Sequence, residues 1–273
     1  MLETQRHILD SPLLKTGDIS RSSIHPWYIL FGSSFKPNIY KSSRDMKTLQ
    51  LKPSQQMGLA AFREMDYFAV ETLGLDIQLM MENAGLQLAR LVARSAKPSD
   101  SIVVGVGNGN NGGGGLVAAR RLAGWGLNVS LDICGNIDRD LPVKQLERAI
   151  AFGVNTMPSQ DPQIWVDAYL GFSQRLPLNE AFLKSVIQAN ESGAFRISLD
   201  IPTGISPDLS APHFDARQVL CLAAPKEILR RLNPEVEIFL ADLGLPHEVY
   251  SKYGIEQPPF FSDQMIRIEY VNE

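Results

Sequence analysis

The chain has 273 residues, 44% of them apolar, enough to bury a substantial core in one large domain or two small ones. A formal net charge of −4, with no basic run longer than a residue or two, excludes a nucleic-acid-binding surface. The lack of any run of about 18 apolar residues, of an apolar core behind a basic start and of more than two cysteines excludes a membrane span, a secretory leader and a disulfide framework.

The expectation is therefore a soluble, intracellular, cytoplasmic protein, with Cys134 and Cys221 as buried thiols in apolar runs. Residues 1–55 are serine-rich, hold Trp27, Tyr28 and Phe35 in no regular period, and show no strand–helix alternation. They predict a disordered or loosely attached N-terminal extension. Glu3, Asp10 and Asp18 argue against a targeting peptide, and Met46 offers an alternative start.

Residues 56–273 read as one α/β domain. Ser54 is placed to cap a helix carrying Met57, Ala61, Met65, Phe68, Ala69 and Leu73, which Gly74 ends. Asp76 is placed to cap a second helix with Met80, Ala84, Leu88 and Leu91 on one face. Strand-like runs then recur at 101–106, 128–133, 164–169, 195–200, 217–223 and 237–241, with helical stretches between most of them. Near-continuous apolar strands alternating with helices imply a mostly parallel sheet covered on both faces, preceded by the two helices.

The densest signal is the loop Gly107-Asn108-Gly109-Asn110-Asn111-Gly112-Gly113-Gly114-Gly115, between the first of these strands and a helix. Glycine permits a sharp turn that presents several N–H groups, and the helix N-terminus beyond it favours an anion, so a phosphate-bearing ligand is expected there. Gly107, Gly109 and Gly112 also satisfy G-x-G-x-x-G, with Asp132 twenty residues beyond as a ribose-binding acid. That fits an ordinary NAD-dependent oxidoreductase. The paired asparagines are unexplained by that pattern and suggest oxygen ligands for a metal ion or a polar ring.

In open α/β sheets the ligand lies beyond the carboxyl ends of the strands. Three strand-end segments therefore converge: the glycine loop, Asp167-Ala168-Tyr169-Leu170-Gly171-Phe172-Ser173, and Asp200-Ile201-Pro202-Thr203-Gly204. Two carboxylates, a hydroxyl and an amide pair at one edge point to a site. Histidine chemistry is poorly supported, since His7 and His25 lie in the extension, leaving only His213 and His247.

These residues resemble the NAD(P)HX epimerase family, also called the YjeF N-terminal domain. Its motifs L-M-E-N-A-G, G-N-N-G-G-D-G-L-V-A-A-R-H-L, D-A-x-x-G, D-I-P-S-G, A-P-K and D-x-G-x-P have counterparts here, in order. They are Leu79 to Gly85 (with one extra Met), Gly109 to Leu122, Asp167 to Gly171, Asp200 to Gly204, Ala224-Pro225-Lys226, and Asp242 to Pro246. The likeness runs over residues 56–270 and is to the stand-alone members, without a dehydratase domain.

The resemblance implies a Rossmann-like three-layer αβα sandwich, often a homodimer. It implies an isomerase that interconverts the R and S forms of hydrated NADH and NADPH (NADHX and NADPHX), as metabolite repair coupled to a separate NAD(P)HX dehydratase. One potassium ion per subunit is implied, held by Asn111, Asp167 and Thr203, the last a Thr where the family has Ser. Amide, carboxylate and hydroxyl oxygens suit such a cation. The implied substrate contacts are Asn110, Asn111, Gly112, Gly113 and Gly114 in the loop, and Gly171, Phe172, Ser173, Gln174, Arg175, Leu176 and Pro177 after Asp167. Asp200 closes the site as the catalytic acid/base group.

Three positions depart from the pattern. Gly114 stands where the family has aspartate, Arg121 where it has histidine, and Ser206–Phe214 is a shortened loop followed by Arg217 where an aspartate is usual. The Gly114 change keeps a second reading open, a catalytically silent ligand-binding or dimerisation module of the same fold. The oxidoreductase is the third reading.

Overall fold

In the computed structural model of the chain, residues 48–260 and 265–271 are described. Residues 1–47, most of the expected N-terminal extension, lie outside them. The last part of that expected extension does not behave as one. Thr48–Leu51 is strand β1, paired in parallel with the last strand, and Leu51 is buried. Four residues carry too short an apolar pattern to be seen in the sequence; a partner strand more than 200 residues away makes them a strand.

Helices α1 (Leu59–Glu71) and α2 (Ile77–Ser95) follow. The cap expected at Ser54 is not used, because Ser54 falls in a 3-10 turn, Pro53–Gln55. Helix α1 instead starts after an extended Gly58, since Met57 is held by backbone hydrogen bonds to Pro225 O and from Glu227 N. Gly74 ends the segment at φ 68°, and Asp76 caps α2 by accepting from the Gln78 N–H at 2.6 Å.

The remaining strands and α-helices are β2 (Ser101–Val106), α3 (Asn110–Gly124), β3 (Asn128–Ile133), α4 (Asp140–Ala151), β4 (Ile164–Ala168), α5 (Glu180–Glu191), β5 (Phe195–Leu199), β6 (Gln218–Leu222), β7 (Glu237–Ala241), α6 (His247–Lys252) and β8 (Met265–Tyr270). The sheet order is β1-β8-β7-β6-β5-β4-β2-β3, and only the β7–β8 pairing is antiparallel. The mostly parallel sheet expected from the apolar runs is therefore present, with β1 and β8 added at one edge. No helix joins β5 to β6; residues 200–217 make that connection as a loop.

Alternation along β2 sends Ile102, Val104 and Val106 to one face, against α2, α3 and α4, and Val103 to the other, against α5. This makes the three layers. A third apolar cluster joins α1, α2 and α6 to Ala223, Ala224, Leu243 and Leu245 beyond the strand ends. It is this cluster that walls the crevice described next.

Candidate active site

The chain leaves β2 toward β3 on one side and returns to β4 on the other, so the strand order reverses between β2 and β4. A crevice opens at such a reversal, beyond the carboxyl ends of the strands. Here it is a cavity of about 330 Å³. Its walls are Phe62, Asp66 and Tyr67 of α1, Met80, Met81 and Ala84 of α2, the start of α3, and the loops after β4 and β5.

Most of the glycines have a different use from the one expected. Gly109 is the N-cap of α3, and Gly112 to Gly115 lie inside its first turns, buried. A Cβ on Gly112 would stand 1.9 Å from Gly107 O, and one on Gly115 would stand 2.5 Å from the Ala168 Cβ. On Gly113 it would meet Met81 sulfur at 2.8 Å. The run is glycine-rich mainly so that α3 can lie against the sheet and α2. Gly112 and Gly113 are absent from the cavity wall, whereas Asn110, Asn111 and Gly114 line it. Gly114 is the roomier position, with Leu199 Cδ2 at 3.2 Å and the Ala84 Cβ at 3.8 Å from a Cβ built on it.

Of the expected contacts after β4, Gly171, Phe172, Ser173 and Gln174 line the cavity. Arg175 and Pro177 line a neighbouring depression at the start of α5 instead, and Leu176 lines neither. The turn Gln174 N to Gly171 O carries the chain away from the cavity after Gln174. Gln174 anchors that turn to the β5 loop, since its side chain accepts from Gly204 N at 2.7 Å.

Asp200 closes β5 with φ 72°, a backbone conformation that costs about 1–3 kcal/mol for a residue with a side chain. Three contacts hold it there. Its N–H donates to Leu220 O at 2.8 Å, its Oδ2 accepts from Phe172 N at 2.8 Å, and its Oδ1 lies 2.7 Å from Lys226 Nζ. Both charged groups are buried. Oδ1 is itself buried, and apart from this ion pair with the Lys226 ammonium it has no donor among the described residues.

Lys226 also donates to Leu222 O at 2.9 Å and stands 3.6 Å over the centre of the Phe62 ring. Burial is the largest effect and opposes its charge, but the Asp200 carboxylate and the Cys221 sulfur together outweigh it and hold its pKa above the ordinary lysine value. Sequence reasoning quoted Lys226 within A-P-K and gave it no role. A lysine at the end of an apolar strand run was the signal, because such a charge needs a buried partner. Asp66 was also missed, as was Arg139 on the cavity rim.

Asp167 and Thr203 are fully buried behind the wall. Asp167 accepts from Thr203 Oγ1 at 2.6 Å, Thr203 N at 2.8 Å, Ser198 Oγ at 2.9 Å and Tyr169 N at 3.3 Å. Burial pushes its pKa up to about 6, with these hydrogen bonds resisting. The Asn111 amide N donates to Leu170 O at 3.0 Å and, more weakly, to Leu199 O at 3.4 Å. Leu170 O is also 3.4 Å from Thr203 Oγ1. Asn111, Thr203 and Asp167 therefore share one cluster with two backbone carbonyls. Turned by half a rotation, the Asn111 amide adds its own oxygen to it. That all-oxygen donor set fits a monovalent cation. Among the described residues no three His, Cys, Asp or Glu side chains gather as they would for a transition metal.

Asp132, the ribose acid of the dinucleotide pattern, is engaged elsewhere. It accepts from the Tyr169 hydroxyl at 2.5 Å, which in turn accepts from Trp165 Nε1 at 3.0 Å. The tyrosine ring occupies the space over Gly105, where a Cβ would stand 2.1 Å from it. Glu82 and Asn83 of the first motif also have structural uses. Glu82 holds Arg120 at 2.6 Å and Arg121 at 2.7 Å, and Asn83 donates to Leu243 O at 3.3 Å.

Comparison with known proteins bears on this geometry. The family described as YjeF-related protein N-terminus matches residues 77–228. An NAD(P)H-hydrate epimerase of Dehalogenimonas lykanthroporepellens is 32% identical over 222 residues, covering 76% of this chain and 89% of its own. One from Rhodopirellula baltica is 30% identical over 235 residues, covering 78% and 95%. A bifunctional NAD(P)H-hydrate repair enzyme Nnr of Archaeoglobus fulgidus is 38% identical over 191 residues, 67% of this chain and 40% of its own. The crystal structure of yeast ynu0 superposes with a TM-score of 0.71 at 25% identity, covering 78% of this chain and 99% of that one.

Proposed function

The chain belongs to the YjeF-related N-terminal family, and from that premise we propose that it is an NAD(P)H-hydrate epimerase, an isomerase of nicotinamide nucleotide repair. The observation that carries the chemistry is the buried Asp200–Lys226 pair at the floor of the crevice. The hydrated ring carries a hydroxyl on a carbon bonded to the ring nitrogen. Inversion there requires that hydroxyl to leave as water, the nitrogen to carry transient positive charge, and water to return on the other face. Asp200 supplies a carboxylate whose orientation is set by Phe172 N–H and Lys226, and the residue lines the cavity. It transfers the proton and stabilises the cationic ring. Lys226 lowers the cost of keeping that carboxylate charged away from water.

Asn111, Asp167 and Thr203, with the carbonyls of Leu170 and Leu199, would hold a potassium ion. When bound, that ion supplies positive charge that offsets buried Asp167 and pins the loops after β2, β4 and β5. The same reading includes a homodimer, a cytoplasmic location and a separate dehydratase that consumes the product. No helix among the described residues is long and apolar enough to cross a membrane.

The test is conversion of the separated R form of NADH hydrate to a mixture of epimers, followed by chiral chromatography. Equilibration by the full chain is expected. Gly114 on the cavity wall keeps one further reading, a binding module. Nucleotide hydrate bound without turnover by the natural chain, and turnover gained by Gly114→Asp, is the result that selects it.

A further inference from the structure

Asp66 is half-buried on the cavity wall, at the edge of the apolar face of α1 that buries Phe62, Met65 and Ala69. It makes no hydrogen bond or ion pair with another described side chain, unlike Asp167 and Asp200. It lies one helical turn beyond Phe62, on the same face. The Phe62 ring carries the Lys226 ammonium at 3.6 Å and meets the Phe172 ring edge-on at 4.9 Å. So the cavity holds two carboxylates, one rising from the sheet end and one reaching in from α1. Asp200 is fixed by its backbone, Phe172 N and Lys226, and a carboxylate so held cannot follow a flat ring to both of its faces.

We propose that Asp66 is the second proton-carrying carboxylate of the epimerisation, serving the ring face opposite the one that Asp200 serves. This rests on the epimerase reading above. In one direction Asp66 gives its proton to the departing hydroxyl as the C–O bond breaks, and the nitrogen lone pair forms the C=N bond. Water then adds on the far face, and its proton passes to Asp200. The reverse direction exchanges the two roles, and the proton returns through solvent between turnovers. No net oxidation occurs.

Burial, then the charge of Asp200, raise the Asp66 pKa to about 6, with Lys226 opposing. Pairs of carboxylates whose environments differ divide acid and base work in this way. The charged groups that act on Asp66 are Asp200 and Lys226 from the strand ends, and Arg139, ahead of α4, lines the same cavity. From α6, Lys252 lies over the Phe68 ring, on another face of α1.

The test measures epimerisation of NADH hydrate by the full chain, with Asp66→Asn and Asp66→Glu, from pH 5 to 8. The expected result is that Asp66→Asn lowers kcat by about 100-fold or more, the scale for a lost proton-transfer group, with KM and the thermal midpoint little changed. The limb of the pH profile near 6 should vanish, and Asp66→Glu should restore most of the rate. If the natural chain turns over and Asp66→Asn keeps its rate and profile, this inference fails and the epimerase reading stands. A loss accompanied by a lowered midpoint, and not restored by Glu, assigns Asp66 a structural role and also overturns it. An inactive natural chain brings down the epimerase reading and this inference with it.

Discussion

Asp200 tolerates its left-handed backbone because the N–H still reaches Leu220 O while both carboxylate oxygens find partners. Substituting Asn keeps the shape and removes the charge, so Asp200→Asn should slow epimerisation by about 100-fold or more, read by chiral separation of the products. Lys226→Met removes the partner and leaves a carboxylate buried alone. It should destabilise the fold by about 3–5 kcal/mol, the cost of breaking a buried pair. Urea unfolding should show the double variant Asp200→Asn/Lys226→Met losing less than the sum of the two singles. Asp167 makes a pH-dependent prediction. Its folded pKa is raised from 3.8 to about 6, so its charged form is disfavoured by folding. That penalty is absent below the unfolded value, grows between about pH 4 and 6, and is complete above. The thermal midpoint of Asp167→Asn should therefore gain on that of the natural chain as pH rises from 4 to 7. Potassium, but not tetramethylammonium, should shrink the gain, and equal behaviour in the two salts would count against the cation site.

Helix α3 shows how the loop motif works at the level of an element. Its first six residues carry no side chains beyond Asn110 and Asn111, and the backbone rests directly on Gly107, Ala168 and Met81. Helix α2 returns the favour with Gly85, where a Cβ would stand 2.5 Å from the Val117 side chain. These contacts place the α3 N-terminus, and with it Asn111, at the mouth of the strand reversal. Gly112→Ala should cost more stability than Gly114→Ala, since the first meets a backbone carbonyl and the second a leucine methyl that can turn aside. Overpacking against backbone is expected to cost about 1–3 kcal/mol or more, against a few tenths of a kcal/mol or a gain at Gly114. Denaturant midpoints of the two variants check the order.

For the molecule as a whole, the sheet edge matters. β1 extends the sheet through β8, which is itself antiparallel to β7, so strands from the two ends of the described chain close one side together. A chain starting at Lys52 should therefore melt below one starting at Met46, by about 5 °C, or roughly 2 kcal/mol for a domain of this size. Equal midpoints would show that β1 adds nothing to the fold.

Local pattern in the sequence was sufficient for the interior strands, for α2 with its Asp76 cap, and for the strand ends at which Asp167 and Asp200 lie. Each of these depends on neighbours within a few residues, as apolar runs and caps do. β1 and β8, at one edge, were not legible, because four residues at 48–51 become a strand only through a partner at 267–270. Nor was the division of labour among the glycines, since Gly112 and Gly114 differ only in what lies across from them. The Asp200–Lys226 pair spans 26 positions and the approach of Asp66 more than 130. Charge, burial and hydrogen-bond partners are properties of the assembled crevice, and chain order carries no distance between residues so far apart. Residue types and their order therefore determined which family of chemistry this chain carries, and tertiary packing alone decided which carboxylate meets which cation.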